Sequence, residues 1–171
     1  MLKRKLGKSD LEVSALGMGC WAIGGPWTWA QPGQDSFPAG WGQMDDAESI
    51  RAIHTAVDLG ISLFDTAANY GAGHSEVVLG KGLAGRRDKV VIATKFGHIV
   101  NEEAKTVYGD NDQILKNVRQ DVENSLRRLQ TEYIDVYQLH EAGYDPELAL
   151  TLREELEALV TEGKIRWYGW S

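Results

Sequence analysis

Segments typical of β-strands alternate with segments typical of α-helices along this chain of 171 residues, and this order limits the possible folds more than any other feature. In strands apolar residues run continuously or alternate, whereas in helices they recur every three or four positions. The strand-like segments are 14–21, 62–65, 89–94, 133–139 and 165–170, and the helix-like segments are 45–60, 76–83, 112–129 and 147–162. Because strands connected by helices pair in parallel, we predict one α/β domain over residues 1–171, with about five parallel strands and four helices.

Two architectures fit this order, a doubly wound sheet and a (β/α)8 barrel of the TIM type. A complete barrel usually takes about 250 residues and eight strand–helix units. This chain provides four such units and one further strand. As a barrel it would therefore be incomplete, with slightly more than half of the strands.

Three segments fall outside the alternation. Residues 1–13 contain two short alternating stretches around positions 7–10, which predicts an N-terminal β-hairpin. Residues 24–44 are expected to form a long rim loop, and residues 98–110 a second one. The first loop contains the aromatic residues Trp27, Trp29, Phe37 and Trp41. These rings either form one wall of a substrate pocket or pack against the rim of the sheet, and both interpretations remain open.

A few residues receive a purely structural interpretation. Gly80 and Gly82 would allow a short helix to pack closely against its neighbours. Residues 127–128, both arginine, are expected on a solvated helix face. His98 closely follows Lys95 and could touch substrate, but we favour a solvated loop residue.

Composition excludes several classes of protein. The chain has 18 basic and 25 acidic residues, a net charge of −7, which disfavours general attraction to nucleic acid or to anionic membranes. Its one cysteine, Cys20, excludes an intramolecular disulfide and a multi-cysteine zinc site, and we expect no metal. No segment has the roughly 20 apolar residues of a membrane span, so we expect a cytoplasmic protein.

Ionisable residues follow three successive predicted strands. Asp65, Lys95 and His140 each stand at a strand's carboxyl end, where α/β proteins place their active groups, and Tyr70 lies five residues beyond Asp65. Neighbouring strands are about 4.8 Å apart, so these side chains can meet above the sheet.

A lysine beside an aspartate forms a charge-assisted pair, which on its own is a common structural feature. A lysine near a tyrosine also favours phenolate and lowers the pKa of a phenol from about 10, which suits a general acid. A histidine can hydrogen-bond the same substrate oxygen. Together Asp65, Tyr70, Lys95 and His140 predict a site that protonates a carbonyl oxygen.

At these positions the chain resembles the amino-terminal part of an aldo-keto reductase, and the similarity covers nearly all of it. The matching segments are SALGMG (14–19), FDTAANYG (64–71), ATKFG (93–97), NSLRRL (124–129) leading to YID (133–135), YQLH (137–140) and GWS (169–171). Each segment alone is weakly specific, but their order and their placement on the expected elements are highly specific.

The resemblance implies a (β/α)8 barrel that reduces a small aldehyde or ketone with hydride from NADPH, with NADH as the alternative. Tyr70 would be the general acid, Lys95 would lower its pKa, and Asp65 would hold Lys95 and approach the nicotinamide ribose. His140 would orient the substrate carbonyl. The implied cofactor-binding residues are Gly19, Cys20, Trp21, Asp65 and Ser171. Of these, Trp21 would flank the site of hydride transfer, and Ser171 would hydrogen-bond the nicotinamide carboxamide.

In the family, the cofactor's pyrophosphate and adenosine phosphate are held by later barrel units, which are not present here. We therefore expect either a truncated part of a longer enzyme, inactive alone, or a half-barrel completed by self-association or by a companion chain. The alternatives are a non-catalytic half-barrel that serves as a structural module and a relative that binds cofactor to sense redox state. Exposed strand edges would favour association in each case.

Overall fold

The computed structural model describes all of residues 1–171, with four helices and eleven strands. The helices are α1 (Asp46–Asp58), α2 (His74–Gly82), α3 (Asn111–Leu129) and α4 (Pro146–Thr161). The first six strands are β1 (Lys3–Lys5), β2 (Glu12–Ser14), β3 (Gly17–Gly19), β4 (Thr28–Trp29), β5 (Phe37–Pro38) and β6 (Leu63–Asp65). The others are β7 (Val91–Phe96), β8 (His98–Asn101), β9 (Thr106–Gly109), β10 (Ile134–Leu139) and β11 (Ile165–Trp170).

The central sheet has five parallel strands in the order β3-β6-β7-β10-β11. Strand order follows chain order, as in the first part of a (β/α) barrel, and helices connect β3 to β6, β6 to β7, β7 to β10 and β10 to β11. The prediction of an incomplete barrel with five strands and four helices is therefore confirmed. Each of β3 and β11 pairs on one side only, so both edges of the sheet are open.

The main hydrophobic core lies between the outer face of this sheet and the helices. It unites 24 buried residues, among them Phe64, Ile92 and Tyr137 from the strands and Ile53 and Leu156 from the helices. Burial of apolar side chains on this scale is the dominant favourable contribution to folding. This core fixes the direction of the strands and therefore the position of their carboxyl ends.

The two glycines of α2 permit close helix packing, as predicted. A Cβ atom at Gly80 would lie 2.6 Å from the carbonyl oxygen of Leu129, and one at Gly82 would lie 2.8 Å from Ile53 Cδ1. Only glycine therefore lets α2 approach both α3 and α1 this closely.

The predicted N-terminal hairpin forms from β1 and β2, which pair antiparallel. Leu11 and Val13 pack on Val91 at the amino end of the central sheet, with Leu63 and Val136 around them. The hairpin therefore covers one end of the sheet and leaves the carboxyl ends of the strands accessible.

The two predicted rim segments, residues 24–44 and 98–110, contain four short strands that form a second sheet, which the sequence did not indicate. Its order is β5-β4-β9-β8, so segments from both predicted loops pair with each other. Trp27 is buried there against Ala72 and Val107. Strands of two to four residues are too short to show a hydrophobic period, which explains why the sequence did not indicate them.

The interpretation of residues 127–128 as a solvated pair was also wrong for Arg128. Its side chain is 3% exposed, and its Nε donates to Glu76 Oε2 at 2.6 Å. Burial disfavours the charged form of Arg128, but the carboxylates of Glu76 and Glu102 together outweigh this effect and raise the pKa of Arg128. Arg127 is exposed and pairs with Glu102.

No helix of this structure has the length and apolar character that crossing a membrane requires. No group of three or more histidine, cysteine, aspartate or glutamate side chains is arranged to hold a metal ion.

Candidate active site

Lys95 is the centre of the site. The last residues of β7 carry it to the carboxyl end of the sheet, where its side chain is 5% exposed. Its Nζ donates to Asp65 Oδ1 at 2.7 Å and to the Thr66 carbonyl at 2.8 Å, and it lies 3.5 Å from Tyr70 Oη. An ammonium group has three N–H donors, so these three oxygens account for all of them.

Asp65 is the last residue of β6, between β3 and β7. Its backbone pairs with Gly19 on one side and Ala93 on the other, and its carbonyl accepts from the Cys20 N–H at 2.7 Å. The side chain is 45% exposed and gives one oxygen to Lys95, which leaves the other free to accept from a ligand.

Tyr70 lies in the tight turn that follows β6. The backbone of Ala68 donates to the Lys95 carbonyl at 3.0 Å, which fixes this turn to β7. Gly71 has φ +62°, and a Cβ atom there would lie 2.0 Å from the carbonyl oxygen of Gly24. Glycine is therefore required beside the tyrosine, both for the backbone conformation and for the close approach.

His140 follows β10, and its backbone N–H donates to the Phe96 carbonyl at 2.8 Å. Its ring centroid lies 6.0 Å from that of Tyr70, nearly perpendicular to it. Burial lowers the pKa of His140 to about 4, and the neighbouring His98 and Lys95 contribute to this. The ring is therefore neutral at physiological pH, and its Nδ1 lies 3.2 Å from Asn69 Oδ1.

His98 lies at the site, which is the less favoured of the two interpretations of this residue. It was expected in a solvated loop, but it begins β8, with its ring centroid 5.4 Å from His140 and 5.3 Å from Trp29. Burial lowers the pKa of His98. Its position two residues beyond the ATKF strand end was the only available signal. Asn69 was missed, although it lies within the FDTAANYG segment.

Aromatic rings line the other side of the site. Trp21 stacks on Tyr70 with centroids 5.9 Å apart and meets Trp41 edge-on at 5.6 Å. Both tryptophans are exposed, so their surfaces are available to a ligand. In the rim segment 24–44, Trp27 is therefore buried against Ala72 and Val107, whereas Trp41 lies beside Trp21 at the site.

The remaining residues that the resemblance implied differ in accessibility. A Cβ atom at Gly19 would meet nothing within 4 Å, so there is open space beside β3. Cys20 is fully buried, and burial raises the pKa of its thiol to about 12. Its carbonyl accepts from Ser75 Oγ at 2.6 Å. Ser171 is exposed beyond β11, and its N–H donates to the Leu139 carbonyl at 2.9 Å.

The structure thus gathers Asp65, Tyr70, Lys95 and His140 at one end of the sheet, as predicted. A buried ammonium group beside a phenol stabilises the phenolate that remains when the phenol gives up its proton. A neutral imidazole next to that phenol offers one hydrogen-bond donor and one acceptor. This arrangement can transfer a proton to an oxygen atom held between Tyr70 and His140.

Comparisons with known proteins identify relatives of this chain. The sequence model of the aldo/keto reductase family matches residues 15–171. Among curated proteins, the aldo-keto reductase YhdN of Bacillus subtilis is 37% identical over 169 residues, which cover 94% of this chain and 44% of that protein.

Two solved structures show the same fold. The aldo-keto reductase AKR11C1 from Bacillus halodurans, in its holo form, has a TM-score of 0.81 and 36% identity over 100% of this chain and 50% of its own. An aldo-keto reductase from Klebsiella pneumoniae in complex with NADPH has a TM-score of 0.69 and 31% identity, over 99% of this chain and 50% of its own.

This chain spans about half the length of the relatives that it matches. The matched range nevertheless includes the five parallel strands and the four site residues Asp65, Tyr70, Lys95 and His140. The chain belongs to the aldo/keto reductase family.

Proposed function

We propose that this chain provides the proton-donating site of an NADPH-dependent reductase that converts an aldehyde or a ketone to an alcohol. The observation that carries this proposal is the position of Lys95 Nζ, 2.7 Å from Asp65 Oδ1 and 3.5 Å from Tyr70 Oη. Family membership and the NADPH complex of the Klebsiella pneumoniae relative support it.

In this proposal Tyr70 donates its hydroxyl proton to the substrate oxygen. Lys95 stabilises the phenolate that forms, because its ammonium group is within hydrogen-bond distance and is shielded from water. Asp65 keeps Lys95 in place, while His140 hydrogen-bonds the same substrate oxygen. A general acid of this kind typically contributes a factor of about 10² to 10⁴ to the rate.

The accessible groups at the site fit a nicotinamide cofactor. Asp65 has one free oxygen for a ribose hydroxyl, Trp21 presents an open ring face, and Gly19 leaves room beside β3. Cys20 would act through its backbone, which holds Asp65 in place. Ser171 would reach the carboxamide. When bound, the reduced cofactor supplies the hydride. NADH is the alternative cofactor.

Replacement of the proposed acid tests this function. In a protein that carries the complete barrel, Tyr70→Phe should slow NADPH oxidation by an aldehyde at least about 100-fold, because the general acid is lost. Cofactor binding, measured by quenching of tryptophan fluorescence, should be unchanged. Tyr133→Phe is the matched control, since Tyr133 lies at the opposite end of β10 against Arg87. Reduction by Tyr70→Phe at the parent rate would refute the acid assignment.

A specific observation also favours the alternative of a self-associating structural module. Strands β3 and β11 have unpaired edges, and Trp167 and Trp170 on β11 are exposed. Such edges promote pairing with a second copy or with a companion chain that completes the barrel. Light scattering measures the molar mass of the chain in solution, and a stable monomer would contradict self-association. Failure to bind NADPH at millimolar concentration supports the module, and binding without turnover supports a redox sensor.

A further inference from the structure

Asn69 is a buried polar residue to which the proposed chemistry assigns no role. It immediately precedes Tyr70, and only 8% of it is exposed. Its Oδ1 lies 3.2 Å from His140 Nδ1, which is the only side-chain hydrogen bond of the His140 ring. A buried amide directed at one nitrogen of an imidazole is in a position to decide where the imidazole proton resides.

A neutral imidazole carries one N–H donor and one acceptor nitrogen. Burial lowers the pKa of His140 to about 4, so the ring is neutral under physiological conditions. The amide oxygen of Asn69 can only accept, so the proton must be on Nδ1 for this hydrogen bond to form. The other nitrogen, Nε2, then presents a lone pair.

We propose that Asn69 is a positioning residue that holds His140 as the Nδ1–H tautomer and so makes Nε2 a hydrogen-bond acceptor in the resting site. An acceptor nitrogen binds a hydroxyl group, which is the form of the substrate oxygen in the alcohol. Rotation of the Asn69 amide by 180° turns its NH2 group toward Nδ1, which must then accept. The ring proton then lies on Nε2, which can donate to a carbonyl oxygen. The amide therefore adapts His140 to either member of the carbonyl–alcohol pair.

The second part of this inference rests on the proposed reductase function, because it assumes a substrate oxygen beside His140. The resting tautomer does not depend on that function. It depends only on the orientation of the Asn69 amide, whose Oδ1 faces Nδ1, and on the neutral state of the ring. The titratable groups that influence this ring are Asp65, Lys95, His98 and Glu141.

Nitrogen NMR of the full chain labelled with ¹⁵N-histidine tests the tautomer directly, since the chain has four histidines. At neutral pH the signals of His140 should be those of an Nδ1–H ring. Asn69→Ala removes the acceptor, so His140 should change to the Nε2–H form, which imidazole side chains favour in water. Asn69→Asp, nearly identical in size, should keep the Nδ1–H form and raise the pKa of His140.

Two controls accompany this experiment. His74 Nε2 lies 2.8 Å from Asp46 Oδ1, so its signals provide an Nε2–H reference within the same spectrum. Asn111→Ala replaces an exposed asparagine at the start of α3 and should leave His140 unchanged.

An Nε2–H ring in the parent chain, or no change in Asn69→Ala, would overturn the proposal. In a protein with the complete barrel, Asn69→Asp should raise the KM of the carbonyl more than that of the alcohol at a pH where the His140 ring is neutral, because the carboxylate then holds the only ring proton on Nδ1. Equal effects on both would refute the adapting role while leaving the resting tautomer intact. These results are separate from the Tyr70→Phe assay, which tests the reductase function itself.

Discussion

Breaking the buried ion pair between Arg128 and Glu76 is expected to destabilise the fold strongly. The Arg128 side chain is 3% exposed and that of Glu76 is fully buried. Glu76 accepts from Arg128 Nε at 2.6 Å and from Thr94 Oγ1 at 2.5 Å, so the pair joins α3, α2 and the strand residue next to Lys95. Arg128→Met removes the cation and leaves a buried carboxylate with only the threonine as partner.

The magnitude follows from the burial of both partners. Removal of one member of a buried pair typically costs about 3–5 kcal/mol, because the charge that remains is not compensated. In a chain of this length each kcal/mol lowers Tm by roughly 2–4 °C, so Arg128→Met should lower Tm by roughly 6–20 °C. Glu76→Leu should lower the free energy of unfolding less than Arg128→Met does, since Arg128 keeps its contact with Glu102 at 3.0 Å.

The double variant Glu76→Leu/Arg128→Met provides the decisive comparison. It leaves no buried charge at this position, so its loss of unfolding free energy should be smaller than the sum of the losses in the two single variants. Urea unfolding followed by circular dichroism measures all three. Arg153→Met breaks the exposed pair with Glu157 and should cost less than about 1 kcal/mol. If Arg128→Met cost no more than this control, the assignment of Arg128 as a buried structural cation would be wrong.

Three further predictions concern the site. Gly71→Ala should lower the free energy of unfolding by several kcal/mol or prevent folding, because the new methyl group would overlap the Gly24 carbonyl; a normal urea midpoint would contradict this. Cys20 should not react with a thiol reagent at mildly alkaline pH until the chain unfolds, since its pKa is raised to about 12 and it is fully buried. His140 should stay neutral from pH 7 to about pH 5 in an NMR titration. The pKa of His140 in the folded chain, about 4, is below the ordinary value of 6.5. Its contribution to the free energy of unfolding is therefore present above pH 6.5 and is lost as the pH falls toward 4. Protonation of His140 near pH 6.5 would contradict the burial of its ring.

The alternating periods and the motifs at strand ends predicted the parallel sheet and the gathering of Asp65, Lys95 and His140. This was possible because each of these residues stands at the end of its own strand, and parallel strands present those ends at one edge. Tyr70 follows for the same reason, since a tight turn keeps it close to Asp65. Local sequence was sufficient to predict the position of a residue wherever that position depended only on the strand or turn to which the residue belongs.

The second sheet, His98 and Arg128 could not be predicted in this way. Strands β4 and β9 pair across almost 80 positions of chain, and a strand of two residues carries no readable period. Arg128 is charged, and only the arrival of Glu76 from another helix explains its burial.

The sequence by itself thus determined the order of the elements and the chemical groups at the strand ends. Only the tertiary structure decided which neighbours surround each group. These neighbours set the neutral state of His140 and its contact with Asn69. The physical reason is that desolvation and charge–charge interaction depend on distances between segments remote in sequence, whereas periodicity reports only the faces of one segment.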